Sequence, residues 1–455
     1  MNTNSFPDPN GMVSFWRTAP QNLDNFRSTE QLPTESDIIV IGGGYSAAAL
    51  VTHILEKYPK APSILVLEAR QLCSGASGRN GGHIKPDPYY HAGQLAEEHG
   101  LISGRELAEF EGANLDAVKE YVEREKVDCD LIITRACDVH FSSDQDKQAK
   151  SRLRKLRKAG IKVVKDASEV SGKYAETVSG VKGAKGCVTF TAGHLWPYKL
   201  IHHMFTSAVK RGVNLQTNTR VTKISVTADS QGFWSVTTDR GVIRAPKVVV
   251  AANSYTQALL PEYKDKIIPY RGISCHIATP GPSPLLVNTY ALRFKDWDFD
   301  YLIPRPDGSI VVGGARSVYF RNKAEWYNNT DDSALIKGAK SYFDGYMQRH
   351  FCGWENSGAY VKEIWTGIMG YSSDKLPRLG PIPGKSGLYI MGGWTGHGMP
   401  QIFLAAKGMA DMVVSNVPYH QTGLPRVFEE TEARLQSTSN KVMDSWSQVA
   451  QGPRL

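Results

Sequence analysis

The first strongly patterned stretch of the chain is Ile38-Ile39-Val40-Ile41, four apolar, mostly β-branched residues with no polar interruption. A run of this kind belongs to a strand covered on both faces, as in a parallel sheet. Gly42-Gly43-Gly44 stops it, and Ala47, Leu50, Val51, Ile54, Leu55 and Tyr58 then recur at helical spacing. Pro59 and Pro62 end that helix, and Ser63 to Glu68 is a second buried run. Strand, glycine turn, helix, strand is one complete βαβ unit. Two more buried runs follow far downstream, Lys247 to Ala252 and Leu388 to Met391. After the latter, Gly392-Gly393 opens a turn, and Met399, Ile402, Phe403, Ala406, Met409, Ala410 and Val413 mark a helix face.

The intervening pattern is of another kind. A helix is expected from about Ser103 to Glu125, and another from Pro197 through Leu200, Met204, Ala208 and Val209. Asn214 to Val226 and Phe233 to Thr238 alternate as half-buried strands do. From about Pro269 to Lys362 the pattern is antiparallel, with Tyr301–Pro304 and Ser309–Gly313 flanking Pro306-Asp307-Gly308, a hairpin signal. The expected architecture is α/β: a discontinuous nucleotide-binding domain (36–90, 186–258 and 363–420) with an inserted antiparallel-sheet substrate domain (91–185 and 259–362). Residues 1–35 read as an arm lying on the surface, with Phe15 and Trp16 as anchors, and 421–455 as a C-terminal tail.

Composition changes this picture little. The 455 residues are 41% apolar and 22% charged, ordinary for a globular chain of two domains. No stretch approaches the roughly 20 apolar residues that span a bilayer, so no membrane partner is expected. The net charge of +8 raises nucleic acid as a partner, because Lys147 to Lys165 is densely basic. Ala149, Leu153 and Leu156 form a core-facing stripe in that segment and no aromatics interleave, so it reads as a solvated helix. Six cysteines are scattered without a C-x-x-C pair, which argues against a metal site and fits an intracellular, reducing compartment. The expected location is cytoplasmic, or peroxisomal if the poor terminal address Pro453-Arg454-Leu455 is used. Oligomeric state is not legible.

The chemistry starts at Gly42-Gly43-Gly44-Tyr45-Ser46-Ala47, which matches G-x-G-x-x-[G/A]. Gly42 permits the turn out of the strand, and Gly44 leaves room for a pyrophosphate at a helix N-terminus, where N–H groups and dipole favour anions. Ala47 keeps the helix close to the sheet. Glu68 ends the next strand, where a carboxylate accepts from both ribose hydroxyls. An acid there favours FAD or NAD over NADP. A second small-residue loop, Gly75 to His83, follows at once, with Ser74 before it. FAD needs such a loop because its ribityl chain and flavin continue past the pyrophosphate. Ala69, Arg70, Ser77, Gly78, Arg79, Asn80, Gly81, Gly82 and His83 are therefore candidate cofactor contacts, with Ala252 at the tip of the third strand.

The βαβ start, the Ser74-Gly75-Ala76-Ser77-Gly78-Arg79-Asn80-Gly81-Gly82-His83 segment and Gly392-Gly393-Trp394-Thr395-Gly396-His397-Gly398-Met399 together resemble the D-amino acid oxidase superfamily, in its glycine oxidase, sarcosine oxidase and γ-glutamylputrescine oxidase-like branch. The similarity runs from about Ser36 to Ser415. It implies FAD as cofactor, a glutathione-reductase-like FAD-binding domain, and an antiparallel substrate sheet over the flavin. It implies hydride removal from the C–N bond of a small amine, with O2 as the expected acceptor and an imine that hydrolyses. By the same resemblance the Val221 backbone contacts the adenine side. Gly393, Trp394, Thr395, Gly396, His397, Gly398 and Met399 lie beside the flavin pyrimidine, where a helix N-terminus stabilises the anionic reduced ring.

His83, Arg271 and His397 are the candidate catalytic residues. His83 could act as base, orient substrate or bond to the flavin, but a local structural role is slightly favoured for it; for Arg271 an ordinary salt bridge is equally open. Positioning matters most, because a neutral amine can pass hydride directly to flavin N5. In sarcosine oxidase-type relatives a flavin-linking cysteine precedes a Thr-Pro-Asp-like segment; the stretch that matches by resemblance, Trp365 to Asp374, has no cysteine, so FAD is expected not to be cysteine-linked, with His83 the first alternative. Glycine and D-amino acid oxidases place an Arg near Met369, and sarcosine oxidases a Lys at Pro400. Their loss leads to an expected substrate that is a larger secondary amine or a metabolite amine without the α-carboxylate anchor, unless another cation such as Arg271 replaces them. The alternatives are a flavoprotein catalysing a non-redox cyclisation or isomerisation, and an NAD(P)H-using flavoenzyme. The second lacks its second G-x-G-x-x-G unit here.

Overall fold

In the computed structural model, which describes residues 5–58 and 60–451, the βαβ unit forms as its pattern requires. Strands β1 (Ile38–Ile41) and β2 (Ile64–Leu67) pair in parallel, and every residue of both is buried. The Tyr45–Lys57 helix connects them. Pro59 lies outside the described residues, as do Pro453, Arg454 and Leu455. Four more strands complete a six-stranded sheet: β7 (Asn214–Gln216), β11 (Lys247–Val250), β17 (Arg378–Pro381) and β18 (Leu388–Gly392). Their order is β17-β18-β11-β1-β2-β7, parallel except for β17 against β18.

Strand alternation sorts this sheet into two cores. Ile38 and Val40 point to the side of the Tyr45–Lys57, Pro197–Lys210 and Ile402–Ser415 helices. Ile39, Ile41, Leu65 and Leu67 point the other way, into a cluster with Val221, Trp234, Val236 and Ile243. The latter belong to a three-stranded antiparallel sheet of β8 (Val221–Ile224), β9 (Trp234–Thr238) and β10 (Gly241–Ala245). Three layers result: small sheet, parallel sheet, helices.

The second large unit is a nine-stranded sheet. Its path runs through β16 (Tyr360–Ser372), β12 (Ile267–Ala278), β15 (Ile310–Gly313), β14 (Phe299–Pro304), β13 (Thr289–Arg293), β4 (Ile132–His140), β6 (Gly186–His194) and β3 (His83–Ile84), with β5 (Ser168–Ser171) beside β6. All pairs are antiparallel except β13 with β4. The expected 301–313 hairpin is β14 and β15. Strands β6 and β16 and the two residues of β3 fall in stretches that the expected boundaries give to the nucleotide domain, yet they pair in this sheet. The basic helix spans Ser143–Lys158 and buries Ala149, Leu153 and Leu156.

In residues 5–35 the side chains are mostly exposed or half-buried, but the anchor Trp16 is wholly buried: its indole N–H donates to the Asn80 carbonyl at 2.6 Å, and Ser14 donates to the Gly78 carbonyl. A large indole gains most where its ring is dry and its N–H paired, and the glycine-rich loop supplies that pocket. At the other end the Lys441–Gln451 helix buries Val442 and Val449 against the large sheet rather than trailing as a tail. No helix among the described residues is long and apolar enough to cross a membrane.

Candidate active site

Three small-residue loops meet at the carboxyl end of the parallel sheet. Gly42 has φ +118°, and a Cβ there would lie 2.7 Å from the Ala251 carbonyl oxygen, so only glycine fits. Gly44 is the N-cap of the Tyr45 helix and brings no capping side chain. The Tyr45 N–H donates to Ser77 Oγ at 2.9 Å, which joins the first loop to the second. The Trp394 indole donates to Ser46 Oγ at 3.0 Å, which joins the third. Glu68 accepts from the Gly43 N–H at 2.6 Å and from the Arg70 N–H at 2.9 Å, so its carboxylate is fixed at the strand tip. Bare glycine backbone, a helix N-terminus and an oriented acid form a cradle of the shape and polarity that a dinucleotide requires.

A cavity of about 1030 Å³ extends from this cradle to the large sheet and ends under the Lys441–Gln451 helix. Of the residues expected to hold FAD, the cavity is lined by Gly42, Gly44, Tyr45, Ser46, Glu68, Ala69, Arg70, Ser77, Arg79, Asn80, Gly81, His83, Val221, Ala252 and Trp394 through Met399. Ala47, Ser74, Gly78, Gly82 and Gly393 lie behind it. Ala47 packs in the helix layer, and the Ser74 carbonyl accepts from Arg79 Nε at 2.7 Å. Gly82 turns the chain at φ +76°, and the Gly393 N–H donates to Asn253 Oδ1. These five lie outside the cavity lining and shape the loops. Arg79 ties its loop to β16 by donating to the Thr366 carbonyl at 2.8 Å, and with Arg70 it shares the buried Asp332.

The candidate catalytic residues separate. Arg271 does not line the cavity: its Nη2 donates to the Ala334 carbonyl at 2.6 Å, and Glu325 lies at 3.5 Å. Its neighbours Tyr270 and Gly272 do line the cavity, and the period-two alternation of β12 turns Arg271 to the other face. His83 stands edge-on to Tyr301 with ring centres 5.7 Å apart. Its Nε2 has no hydrogen-bond partner among the described residues, and burial holds the imidazole well below its ordinary pKa, hence neutral. His397 donates through Nε2 to Glu111 at 3.1 Å. Burial disfavours its charge, but the Glu111 carboxylate and hydrogen bond outweigh burial and raise the pKa.

One cation faces the cavity from an unexpected place. Arg316 starts a helical turn just after β15, donates to Tyr371 Oη at 2.7 Å and to the Trp297 carbonyl at 3.3 Å, and packs against the rings of Tyr270 and Phe299. Both hydrogen-bond partners are neutral. The same Tyr371 Oη lies 2.9 Å from where a Cβ on Gly396 would stand, so the guanidinium is one side chain from the third loop. Arg316 and Glu111 were not singled out in the sequence. Glu111 carried a signal, a charge on the apolar stripe of its helix with Leu107, Ala108 and Leu115. For Arg316 the only local hint was Gly314-Ala315, both in left-handed backbone at a strand end.

The cradle, the three-layer nucleotide unit and the sheet that closes the cavity define a flavin-dependent oxidoreductase. Residues 37–412 match the family model described as FAD dependent oxidoreductase, DAO, and the chain belongs to that family. Among curated relatives, γ-glutamylputrescine oxidoreductase of Escherichia coli (strain K12) is 22% identical over 83% of each chain. D-amino acid dehydrogenase of Vibrio vulnificus (strain YJ016) is 30% identical over 44% of this chain and 43% of its own. Among solved structures, glycine oxidase from Geobacillus kaustophilus superposes with TM-score 0.71 at 18% identity, covering 88% of this chain and 99% of that one. Iminodiacetate oxidase from Chelativorans sp. BNC1 gives TM-score 0.66 at 14% identity, covering 87% and 99%.

Proposed function

We propose that the enzyme oxidises the C–N bond of an amine that carries a carboxylate. The observation that carries this reading is Arg316, a guanidinium on the cavity wall, beside the third glycine loop, with neutral hydrogen-bond partners. A planar fork of N–H donors suits a carboxylate, and the Tyr270 and Phe299 rings hold it in place. Met369 and Pro400, which replace the family's usual cations, suggested a substrate without a carboxylate. Arg316 supplies a cation from another strand end and reverses that reading. The similarity to proteins named for γ-glutamylputrescine, glycine and iminodiacetate supports it.

FAD held by the Gly42–Ser46 turn, Glu68 and the Ser77–Gly81 loop would supply a two-electron acceptor for the α-hydrogen of the substrate as hydride, and dioxygen would take those electrons on to give hydrogen peroxide. The protein's part is to place that α-hydrogen. Arg316 and Tyr371 fix one end of the substrate, and Tyr270 and Tyr301 exclude water around it. His83, kept neutral by burial, adds no positive charge to repel the amine. The nitrogen gives up its proton, and the resulting imine is hydrolysed to a carbonyl compound and a smaller amine.

The test is peroxide release from carboxylated amines, among them iminodiacetate, N-methylglycine and γ-glutamylated diamines, set beside their neutral amides. Carboxylated substrates should be preferred, and Arg316→Gln should lower kcat/KM for them by about 100-fold, as expected when a desolvated ion pair loses one partner. Equal turnover of the neutral amides would overturn the carboxylate assignment. A flavin that no amine bleaches anaerobically would overturn the redox assignment.

A further inference from the structure

Glu111 sits on the apolar stripe of the Leu101–Arg124 helix and is wholly buried. A carboxylate taken out of water costs several kcal/mol unless donors replace its hydration. Three donors do so. The Asp87 backbone N–H reaches Oε2 at 2.7 Å, Gln401 Nε2 reaches Oε1 at 2.7 Å, and His397 Nε2 reaches Oε2 at 3.1 Å. The acid therefore joins a helix outside the nucleotide layer to the loop that leads into the Ile402–Ser415 helix. Its burial is complete, whereas the His397 side chain keeps 23% exposure and lines the cavity.

We propose that Glu111 is a positioning residue that holds His397 as an imidazolium, so that a fixed positive charge faces the cofactor cavity beside the N-terminus of the Ile402 helix. Reduced flavin carries negative charge on its pyrimidine side, and a cation added to a helix N-terminus stabilises that form. Among the groups around His397, Glu111 is the main source of this charge, with Asp87 a smaller one and Lys85 opposed to it. His91 stands edge-on to it with ring centres 5.1 Å apart, and its Nδ1 faces Asp87 at 3.5 Å rather than Glu111. Asp87 lies against Arg293 at 3.7 Å, and Lys85 is paired with Asp138 at 2.5 Å. Glu111 is the carboxylate that touches His397, and its pull raises the His397 pKa against the effect of burial.

Sulfite provides a probe that needs no amine substrate, so its outcome does not depend on the function proposed above. Its sulfur lone pair forms a bond to flavin N5, and the displaced electron pair settles as negative charge on the pyrimidine side. Adduct formation bleaches the visible flavin band. With the FAD-loaded enzyme, and after correction for bisulfite ionisation, sulfite should bind tightly at low pH and weaken through one step as His397 loses its proton. Glu111→Gln should raise the sulfite Kd about tenfold at neutral pH and move that step downward, the scale expected of one charge at short range. His397→Asn should show the weaker binding at every pH, and His397→Lys should keep tight binding with no step near the His397 pKa. Flavin content, read in parallel, separates these effects from misfolding. If Glu111→Gln does not fold, the two His397 variants decide. Unchanged sulfite binding in Glu111→Gln, a His397→Lys enzyme that behaves like His397→Asn, or a wild type that forms no adduct would each overturn the proposal.

Discussion

The two large sheets are built on different principles. In the six-stranded sheet, β1 and β2 are apolar at every position and sort by alternation into two dry cores. In the nine-stranded sheet, ions are buried between strands. Asp138 is fully buried, takes Lys85 at 2.5 Å, Tyr89 at 3.1 Å and Arg293 at 2.9 Å, and its carboxyl is held below its ordinary range against the effect of burial. Asp300 takes Tyr342 at 2.7 Å and Tyr346 at 2.9 Å, and there burial wins and lifts its pKa to about 6. The first sheet tolerates exchange among residues of like size, because its energy is non-directional. The second is specific, because each ion needs named partners from remote segments.

The largest effect should come from breaking one of those ions. Asp138→Ala leaves Lys85 without its partner and Arg293 with Asp87 alone at 3.7 Å, a loss of about 3–5 kcal/mol, comparable to much of a domain's stability. Denaturant midpoints, or failure to recover soluble protein, will show it. A loss under about 1 kcal/mol would mean that the buried ions carry little of this sheet.

Next in size is Gly44→Val in the cradle. A Cβ at Gly44 already stands 3.0 Å from Ser77 Oγ, and two further methyls would fill the space at the helix N-terminus. The expected product is folded but free of flavin, measured by the ratio of 450 nm to 280 nm absorbance. Full flavin content would remove the cradle assignment.

A smaller effect is a pH dependence that belongs mainly to the second sheet. Burial lowers the pKa of His53, His194, His276 and His350 to about 4 each, and all but His53 lie outside the βαβ unit. In the unfolded chain these groups take up protons below about 6.5, whereas the folded ones do not until about 4. The unfolded state therefore binds more protons in that window, and stability falls as pH drops through it. The carboxyl of Asp138, depressed in the fold, loses its contribution only below the ordinary aspartate range. His397 acts with the opposite sign: its raised pKa gives stability at low pH that is lost as pH rises through the folded value. Thermal melts at pH 7, 5.5 and 4.5 should show a falling Tm, and a flat profile would contradict the neutral assignment of these histidines.

The smallest effect should be Ile39→Val in β1, about 0.5–1.5 kcal/mol, because it removes one methylene from a core held by many similar contacts. A cost equal to that of Asp138→Ala would erase the contrast between the sheets.

What could be read from the sequence follows the same division. The run Ile38–Ile41, the glycines at 42 and 44, Glu68 and the helix after Gly393 declare themselves locally. Strand burial, a left-handed turn and helix spacing are properties of a few consecutive residues. The βαβ unit, the cradle and the family likeness rest on those signals. The wall opposite the cradle does not. Whether Arg271 or Arg316 meets the cavity depends on the register of β12 and on where β15 ends, and one step along a strand reverses the face. Where Trp16 anchors could not be read locally, because its pocket is made by Asn80 and Trp196, distant in sequence. Glu111 acquires its role only when packing brings His397 within 3.1 Å of it. The chain by itself determined a flavin cradle, since backbone geometry and short-range periodicity are local. Tertiary structure alone decided which charges face that cradle, because a charge finds its partner across the fold.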